Sequence, residues 1–377
     1  MEVIVLKFNN LALVAIAVLT VVGCGCGGTT QQSNDLNTPT QPGGAGRDQT
    51  PPKVGHHVKV GIVFDKGGKG DKSFNDSAYN GKVLAEKDLD VDIKTADSPQ
   101  QKDYETNLAG FADQGKDLVI AVGNDQDKAV AAVAPKYPNV KFAIVDAVVD
   151  QPNVRSITFS EEQGSYLAGY VAGLTTKTGK IGFVGGMEIP LIKKFECGYD
   201  AGARTANPKV EILPAKYTDS WDDIDKGKAA ADVLFNSGAD IVYHASGRCG
   251  IGVIRSAQEH AKLAIGVDSD QDDVAKGFVL TSMIKHVDNA VYQTIKDVAT
   301  DKFTPGQKVY DLKSGGVGLS DMKYTKKLLP KDAMTMLNKQ ADLIKSGKIN
   351  VPATPDQLTA YLAALNSASA TPAKPTK

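Results

Sequence analysis

Short apolar runs alternate with helical patterns between residues 58 and 160. Helical periodicity occurs, for example, over Ala78–Lys87 and Tyr104–Gln114. The strand-like runs are Val58–Phe64, Val91–Thr95, Leu118–Val122, Phe142–Val145 and Arg155–Phe159. Continuous apolar strands separated by helices are typical of a parallel sheet that is covered on both faces. The pattern therefore predicts an α/β lobe over residues 58–160.

The same alternation restarts in the second half of the chain. Its strand-like runs are Ile181–Val184, Val210–Lys216, Asp240–His244, Leu263–Val267 and Val279–Ile284. A helix over Gln163–Thr175 would cross into this second lobe, residues 161–288. The chain would then return, so that residues 289–366 belong to the first lobe and Val309–Leu312 adds a late strand there. We expect two Rossmann-like lobes joined by a hinge, with a ligand in the cleft between their strand ends.

The N-terminal residues 1–23 have the features of a lipoprotein signal peptide. Lys7 supplies positive charge, and Leu11–Val22 is an apolar run that is too short to span a bilayer permanently. Val21–Cys24 matches the consensus for lipid attachment, which predicts cleavage before Cys24 and lipidation of its thiol. Cys26 is the weaker candidate for this modification.

The composition of the chain distinguishes a folded body from a flexible segment before it and another after it. Residues 24–57 are rich in Gly, Thr, Gln, Asn and Pro and predict a flexible tether, while residues 367–377 predict a disordered tail. The remaining roughly 310 residues exceed the usual size of one core and favour two lobes. A formal net charge of −1 gives no electrostatic reason to expect a nucleic-acid partner.

A glycine-rich loop follows the first predicted strand, in VGIVFDKGGKGDKSFNDSAYNG (Val60–Gly81). The loop places the carboxylate of Asp65, the ring of Phe74 and the carboxamide of Asn75 where a strand ends and a helix begins. It matches neither the phosphate-binding pattern G-x-x-x-x-G-K-[ST] nor G-x-G-x-x-G. These groups suit a polar ligand that carries a flat ring. The alternative is an ordinary strand–helix connection with Ser73 as helix N-cap and Phe74 as a core residue.

Three aspartates end predicted strands: Asp65, Asp146 and Asp268. Bringing like charges to one sheet edge is unfavourable, so a role in stability alone is a poor explanation. Vicinal hydroxyls offer two donors that a carboxylate can accept, whereas a phosphate would be repelled. The carboxylates therefore favour a nucleoside over a nucleotide. The alternative for any single aspartate is that it caps the following helix.

The chain resembles the basic membrane protein family of bacterial lipoproteins. The resemblance rests on Val60–Gly81 and on seven further motifs in the order of that family: DYETNLAGFADQGKDLVIAVG (Asp103–Gly123), KYPNVKFAIVDA (Lys136–Ala147), EEQGSYLAGYVAG (Glu161–Gly173), GFVGGMEIPLIKKFECGYDAG (Gly182–Gly202), ADIVYHASG (Ala239–Gly247), IGVDSDQ (Ile265–Gln271) and TSMIKHVD (Thr281–Asp288). The resemblance implies a type I periplasmic-binding-protein fold. It also implies a monomeric purine nucleoside receptor without a cofactor, which is lipid-anchored at the membrane, faces the periplasm or the cell exterior, and serves ABC permease and ATPase subunits.

The resemblance also implies roles for individual residues. Phe74 would lie against the base, while Asn75 and Asp146 would meet polar edges of base or ribose. Lys285 would point into the cleft, bond sugar oxygens and balance Asp268, unless it is merely a solvated lysine at a strand end.

Two positions depart from the family's pattern. Gly247 and Arg248 stand where relatives have a glycine-rich loop or an aromatic residue, and Arg248 could stack on a ring or bond a base carbonyl. Asn124 stands where the family often has an aromatic residue, which leaves open whether a second ring covers the base. We expect Met187 and Ile189–Pro190 to offer apolar contact instead.

Cys197 and Cys249 are the cysteines outside the N-terminal segment. They are predicted to lie in loops after neighbouring strands of an exported protein. They could form a disulfide or remain separate, half-buried thiols.

Other functions fit the sequence less well. The chain has no G-x-S-x-G motif and no His/Cys cluster with metal-ligand spacing, so we do not expect an enzyme or a metal site. A receptor for a sugar or signalling ligand with the same fold remains an alternative, although such a ligand would leave Phe74 without a purpose. A sensor lipoprotein that is not coupled to transport is a further alternative.

Overall fold

The computed structural model describes residues 53–370. Within this range the first sheet contains β1 (Val54–Phe64), β2 (Leu89–Ala96), β3 (Leu118–Val122), β4 (Lys141–Val145), β5 (Val154–Phe159) and β12 (Gly306–Tyr310). The second sheet contains β6 (Lys180–Gly185), β7 (Glu211–Ile212), β8 (Lys216–Tyr217), β9 (Ile241–Ala245), β10 (Leu263–Asp268), β11 (Val279–Lys285) and β13 (Val317–Leu319).

The first eight of the described α-helices lie in the connections between these strands, and the last two follow β13. These helices are α1 (Phe74–Asp88), α2 (Asp103–Asp113), α3 (Asp127–Val133), α4 (Glu161–Thr175), α5 (Pro190–Ala206), α6 (Ile224–Asn236), α7 (Cys249–Glu259), α8 (Val287–Ala299), α9 (Ala333–Lys345) and α10 (Pro355–Ala370). None of the helices in residues 53–370 is both long and apolar enough to cross a membrane.

Both sheets are predominantly parallel, which confirms the predicted α/β class. The first sheet has the strand order β12-β5-β4-β3-β1-β2, with every neighbouring pair parallel. The second has the order β13-β11-β10-β9-β6-β7, and β8 also pairs with β6. Only β13 among these second-sheet strands runs antiparallel to its neighbour. Parallel strands bring their carboxyl ends to one edge of each sheet, where ligands bind in open α/β folds.

The chain passes between the sheets three times, once more than the sequence pattern indicated. It crosses from β5 to α4, returns from β11 to α8, and crosses again from β12 to β13. The late strand predicted at Val309–Leu312 is present as β12 in the first sheet. The assignment of all residues 289–366 to the first lobe was wrong beyond β12, because β13 pairs with β11, α9 packs on α4 and α10 packs on α5.

Three boundaries differ from the sequence prediction. Val210–Lys216 is not one strand, because only residues 211–212 and 216–217 pair with β6. β1 begins at Val54, inside the predicted tether of residues 24–57. α10 continues to Ala370, so residues 367–370 of the predicted tail are helical. The signal peptide and Cys24 lie outside the described residues.

Candidate functional site: the cleft between the lobes

A cleft lies between the carboxyl ends of the two sheets. It is lined from the first lobe by Asp65, Gly67, Asp71, Phe74, Asn75, Asn124 and Asp146, and from the second by Leu191, Ile192, Phe195, Trp221, Ala245, Ser246, Gly247, Arg248, Val267, Asp268 and Lys285.

The three predicted strand-end aspartates all reach this cleft. Asp65 follows β1, Asp146 follows β4 and Asp268 is the last residue of β10. Asp146 and Asp268 adopt the left-handed backbone conformation, with φ of 71° and 64°. Non-glycine residues adopt it at an energetic disadvantage, and it clusters at functional sites. None of the three caps a helix, so the capping alternative does not describe them.

Asp71, which the sequence analysis overlooked, organises the glycine loop. Its buried carboxylate accepts hydrogen bonds from the backbone N–H groups of Ser73 (2.9 Å), Asn75 (2.8 Å) and Asp76 (3.1 Å). Asp71 thus satisfies the unpaired N–H groups at the start of α1 in place of the expected cap, Ser73.

Asn75 is fixed by two carboxylates. Its Nδ2 donates to Asp65 Oδ1 (2.8 Å) and to Asp71 Oδ2 (3.1 Å), so the amide orientation follows from the network. Its Oδ1 is buried and has no hydrogen-bond partner in the described part of the chain. Since unpaired buried acceptors are unfavourable, the cleft offers this oxygen to a donor on a ligand.

The lobes contact each other at one end of the cleft. The freed Ser73 hydroxyl donates to Asp268 Oδ2 across the lobes. Ser269 Oγ donates to the Ser73 carbonyl (3.3 Å), and Gln271 Nε2 donates to the Lys72 carbonyl (3.1 Å). These bonds hold the cleft in a closed conformation.

Lys285, the last residue of β11, is buried in the cleft. Its Nζ lies 2.6 Å from Asp146 Oδ2 and 3.1 Å from Glu161 Oε1. The alternative of a solvated lysine was therefore wrong, and the direct partners are Asp146 and Glu161, whereas Asp268 acts on Lys285 at longer range. Burial opposes the ammonium charge, yet these carboxylates together hold the pKa of Lys285 above its usual range.

The aspartates that face the cleft are hard to ionise. Burial raises the pKa of Asp268 to about 7, although Lys285 and the Ser73 hydroxyl partly offset this effect. Burial likewise raises the pKa of Asp65 to about 7, against the hydrogen bond from Asn75. The pKa of Asp146 is also raised by burial, with Lys285 acting in the opposite direction. Each carboxylate would gain from donors that a ligand supplies.

Aromatic rings enter the cleft from both lobes. Phe74 lies at the start of α1, while Trp221 comes from the loop between β8 and α6 and Phe195 from α5. A Cβ atom at Gly186 would lie 2.2 Å from the Trp221 ring, so only glycine allows the indole to pack there. The sequence left open whether the cleft has a second ring besides Phe74, and Trp221 supplies one.

The remaining predicted site residues fall in different places. Gly247 and Arg248 line the cleft, and Arg248 N donates to the Trp221 carbonyl (2.9 Å). Met187 is not among the described residues that line the cleft. The aliphatic side chains there are those of Leu191 and Ile192 on α5, together with Ala245 and Val267. The three aspartates, Phe74, Asn75 and Lys285 come together as predicted, although their contact with a ligand stays a prediction.

Both cysteines are free, and neither lies in a loop. Cys197 is inside α5 and Cys249 is the first residue of α7, and both thiols are buried. Cys249 Sγ lies 3.3 Å from the Ser220 carbonyl and 3.6 Å from Thr218 Oγ1. Of the two alternatives, separate thiols are the observed one, and they are fully buried.

The chemistry of the cleft is that of recognition. Oxygen acceptors, one ammonium and aromatic rings converge, and no group of His, Cys, Asp or Glu within residues 53–370 is arranged to hold a metal ion. The chemistry of such a lining is complementary to a polar molecule that carries hydroxyl donors and a flat ring.

Comparisons with known proteins agree with this architecture. Residues 58–355 match the family described as "ABC transporter substrate-binding protein PnrA-like". The chain is 37% identical over 324 residues to "ABC transporter nucleoside-binding protein BmpA" of Lactococcus lactis, covering 80% of this chain and 90% of the relative. It is 36% identical over 319 residues to the "CD4+ T-cell-stimulating antigen" of Listeria monocytogenes, covering 78% and 88%.

A solved structure extends the agreement to the whole fold. The crystal structure of an ABC transporter solute-binding protein from Aeropyrum pernix has a TM-score of 0.75 and 29% identity, covering 82% of this chain and 98% of that one. These neighbours confirm the two-lobed type I solute-binding fold. The chain belongs to the basic membrane protein family, the PnrA-like substrate-binding proteins of ABC transporters.

Proposed function

We propose that this protein binds a purine nucleoside and delivers it to an ABC importer. The observation that carries the proposal is the joint presence of acidic strand ends and rings from both lobes in one closed cleft. A relative that is 37% identical is named as a nucleoside-binding protein.

The division of labour follows from the chemistry of each group. Phe74 and Trp221 offer faces to the base, since aromatic stacking contributes roughly 1–3 kcal/mol per base. Asp268 accepts from the ribose hydroxyls, and Lys285 Nζ, which donates to Asp146, has further N–H donors that can meet a sugar oxygen. The unpaired Oδ1 atoms of Asn75 and Asp146 accept from the ligand. A phosphate would meet carboxylates and be repelled.

The rings argue against the main alternative, a receptor for a free sugar or a signalling ligand. A sugar would satisfy Asp268 and Lys285 but would use only part of the aromatic lining that Phe74, Phe195 and Trp221 provide. Sensing without transport would involve the same cleft, so growth on a nucleoside as sole purine source distinguishes import from sensing.

We also propose that the protein is anchored by lipid on Cys24 and meets its permease and ATPase subunits from the outer side of the membrane. The apolar run Leu11–Val22 and the lipid-attachment consensus support this. Cys24→Ala should abolish palmitate incorporation and leave the folded body intact. Labelling of this variant at the wild-type level would refute Cys24 and point to Cys26.

The direct test is the identity of a co-purified ligand. The protein is denatured after purification without added nucleosides, and the released small molecules are identified by mass spectrometry. A purine nucleoside in near-stoichiometric amount is the expected result. A free sugar in that amount would overturn the proposal.

A further inference from the structure

A buried chain of charges runs from the cleft through the hinge. Glu161 is the first residue of α4, directly after the first crossing between lobes, and its side chain is 0% exposed. Ionised glutamates are almost never fully buried unless they are paired. The position therefore requires partners that offset the loss of hydration.

Glu161 has a lysine on each side. Its Oε1 lies 3.1 Å from Lys285 Nζ, at the end of β11, and its Oε2 accepts from Lys194 Nζ on α5. Lys194 also donates to the Phe159 carbonyl, the last residue of β5. The chain of charges thus connects two of the three crossings, β5 to α4 and β11 to α8.

The two carboxylates that hold Lys285 belong to different lobes. Asp146 follows β4 in the first lobe, whereas Glu161 begins α4, which packs on α5 and β11 of the second. Lys285 is also in the second lobe, so its pair with Glu161 stays within one rigid unit. Its pair with Asp146, at 2.6 Å, joins the two lobes.

We propose that Glu161 is a positioning residue that holds the ammonium of Lys285 in its ligand-binding orientation, with Lys194 holding Glu161. The proposal rests on the proposed nucleoside function, because it assigns Lys285 to the sugar. Without Glu161, the ammonium of Lys285 can pair fully with Asp146 and Asp268. The ligand then loses Lys285 as a donor, and the two carboxylates become weaker acceptors for its hydroxyl groups. The N-terminus of α4 also favours a carboxylate at this position.

The chain offers a matched control at the next residue. Glu162 lies 3.6 Å from the same Lys194 but makes no ion pair with Lys285 among the described residues. Glu161→Gln and Glu162→Gln each remove one negative charge beside Lys194. Only the first removes a partner of Lys285.

The test measures inosine affinity by calorimetry in a thermodynamic cycle with Lys285→Met. Glu161→Gln should weaken binding about tenfold or more in the wild-type background, since it breaks a buried charge pair, and should change it about twofold or less in the Lys285→Met background. Glu162→Gln should have little effect in either. An equal loss from Glu161→Gln in both backgrounds would overturn the proposal.

A second readout does not depend on the ligand. In urea unfolding of the unliganded protein, Glu161→Gln and Lys285→Met should each lower the midpoint, and the double variant should lose clearly less than the sum. Additive losses would contradict a direct Glu161–Lys285 coupling. If wild-type protein fails to bind inosine while the urea cycle shows coupling, the assigned ligand is wrong, but the coupling between Glu161 and Lys285 is supported.

Discussion

At the scale of single residues, the cleft combines positions that sequence patterns reveal with positions that they hide. Asp65, Asp146 and Asp268 could be found because each ends an apolar run, and parallel strands bring such ends together. Trp221 was missed because its loop, between two-residue β8 and α6, carries no strand signal. The available signal was a tryptophan, the only one in the chain, within a polar stretch.

The two rings that line the cleft from opposite lobes, Phe74 and Trp221, give the first prediction. Phe74→Ala and Trp221→Ala should each weaken nucleoside binding about tenfold to a hundredfold, because each removes stacking worth roughly 1–3 kcal/mol. Calorimetry measures the loss, and Val148→Ala, at a side chain that is 60% exposed, serves as the control. Unchanged affinity in both ring variants would mean that the base lies elsewhere.

Asp268 gives a prediction of a different kind. Asp268→Ala should flatten the discrimination between ribonucleosides and 2′,3′-dideoxynucleosides, because the carboxylate is the proposed acceptor of the diol. Phe74→Ala should leave that ratio nearly unchanged. If the ring variant erases sugar discrimination and Asp268→Ala preserves it, the ligand lies the other way round in the cleft.

The raised pKa values of Asp65 and Asp268, each about 7, predict two opposite pH dependences. Binding that requires ionised carboxylates should weaken as pH falls through 7, by up to about tenfold per pH unit for each proton taken up. The stability of the unliganded protein should change the other way. An acid whose pKa is raised on folding contributes stability at low pH that is lost as pH rises through its folded value.

Calorimetry and urea unfolding between pH 5.5 and 8 measure the two slopes, with a nucleoside whose base does not titrate in that range. Asp268→Asn should reduce both slopes. Affinity that does not vary with pH in the wild type would contradict the role given to the carboxylates.

At the scale of elements, the local sequence pattern predicted the strands well. It did not predict to which lobe each of the last helices belongs. β3 was predicted to the residue, because Leu118–Val122 is apolar throughout and fully buried. The lobe to which α9 and α10 belong depends on pairings far along the chain, such as β13 with β11 and Tyr361 with Thr205 (2.9 Å). Such contacts leave no local periodicity, so the third crossing could not be predicted.

The close approach of α4 and α5 gives a stability prediction. A Cβ atom at Gly202 would lie 1.9 Å from the Tyr166 carbonyl oxygen. Gly202→Ala should therefore destabilise the protein by about 1–3 kcal/mol or more, through overpacking. Gly110→Ala is the matched control, since it also lies inside a helix but would meet nothing within 4 Å.

The control variant should be neutral or more stable by roughly 0.5–1 kcal/mol, because alanine is the better helix former. Urea unfolding measures both changes. Equal effects of the two substitutions would mean that α4 and α5 are not packed as closely as described.

At the scale of the whole molecule, the fold places one acidic, ring-lined cleft between two lobes that close on each other. The Ser73–Asp268 hydrogen bond and the Lys285–Asp146 ion pair both join the lobes across the cleft. Ligand donors that satisfy the buried carboxylates would favour this closed state over an open one. Recognition and closure therefore depend on the same groups.

The central claim is that this cleft selects a nucleoside and rejects the corresponding nucleotide. Calorimetry on ligand-stripped protein, with a purine nucleoside and its 5′-monophosphate compared in one buffer, tests it most directly. We expect micromolar or tighter binding of the nucleoside, roughly −8 kcal/mol or better, and far weaker binding of the monophosphate. Equal affinity for the two would contradict the role of the acidic lining, and no binding of either would contradict the proposed function.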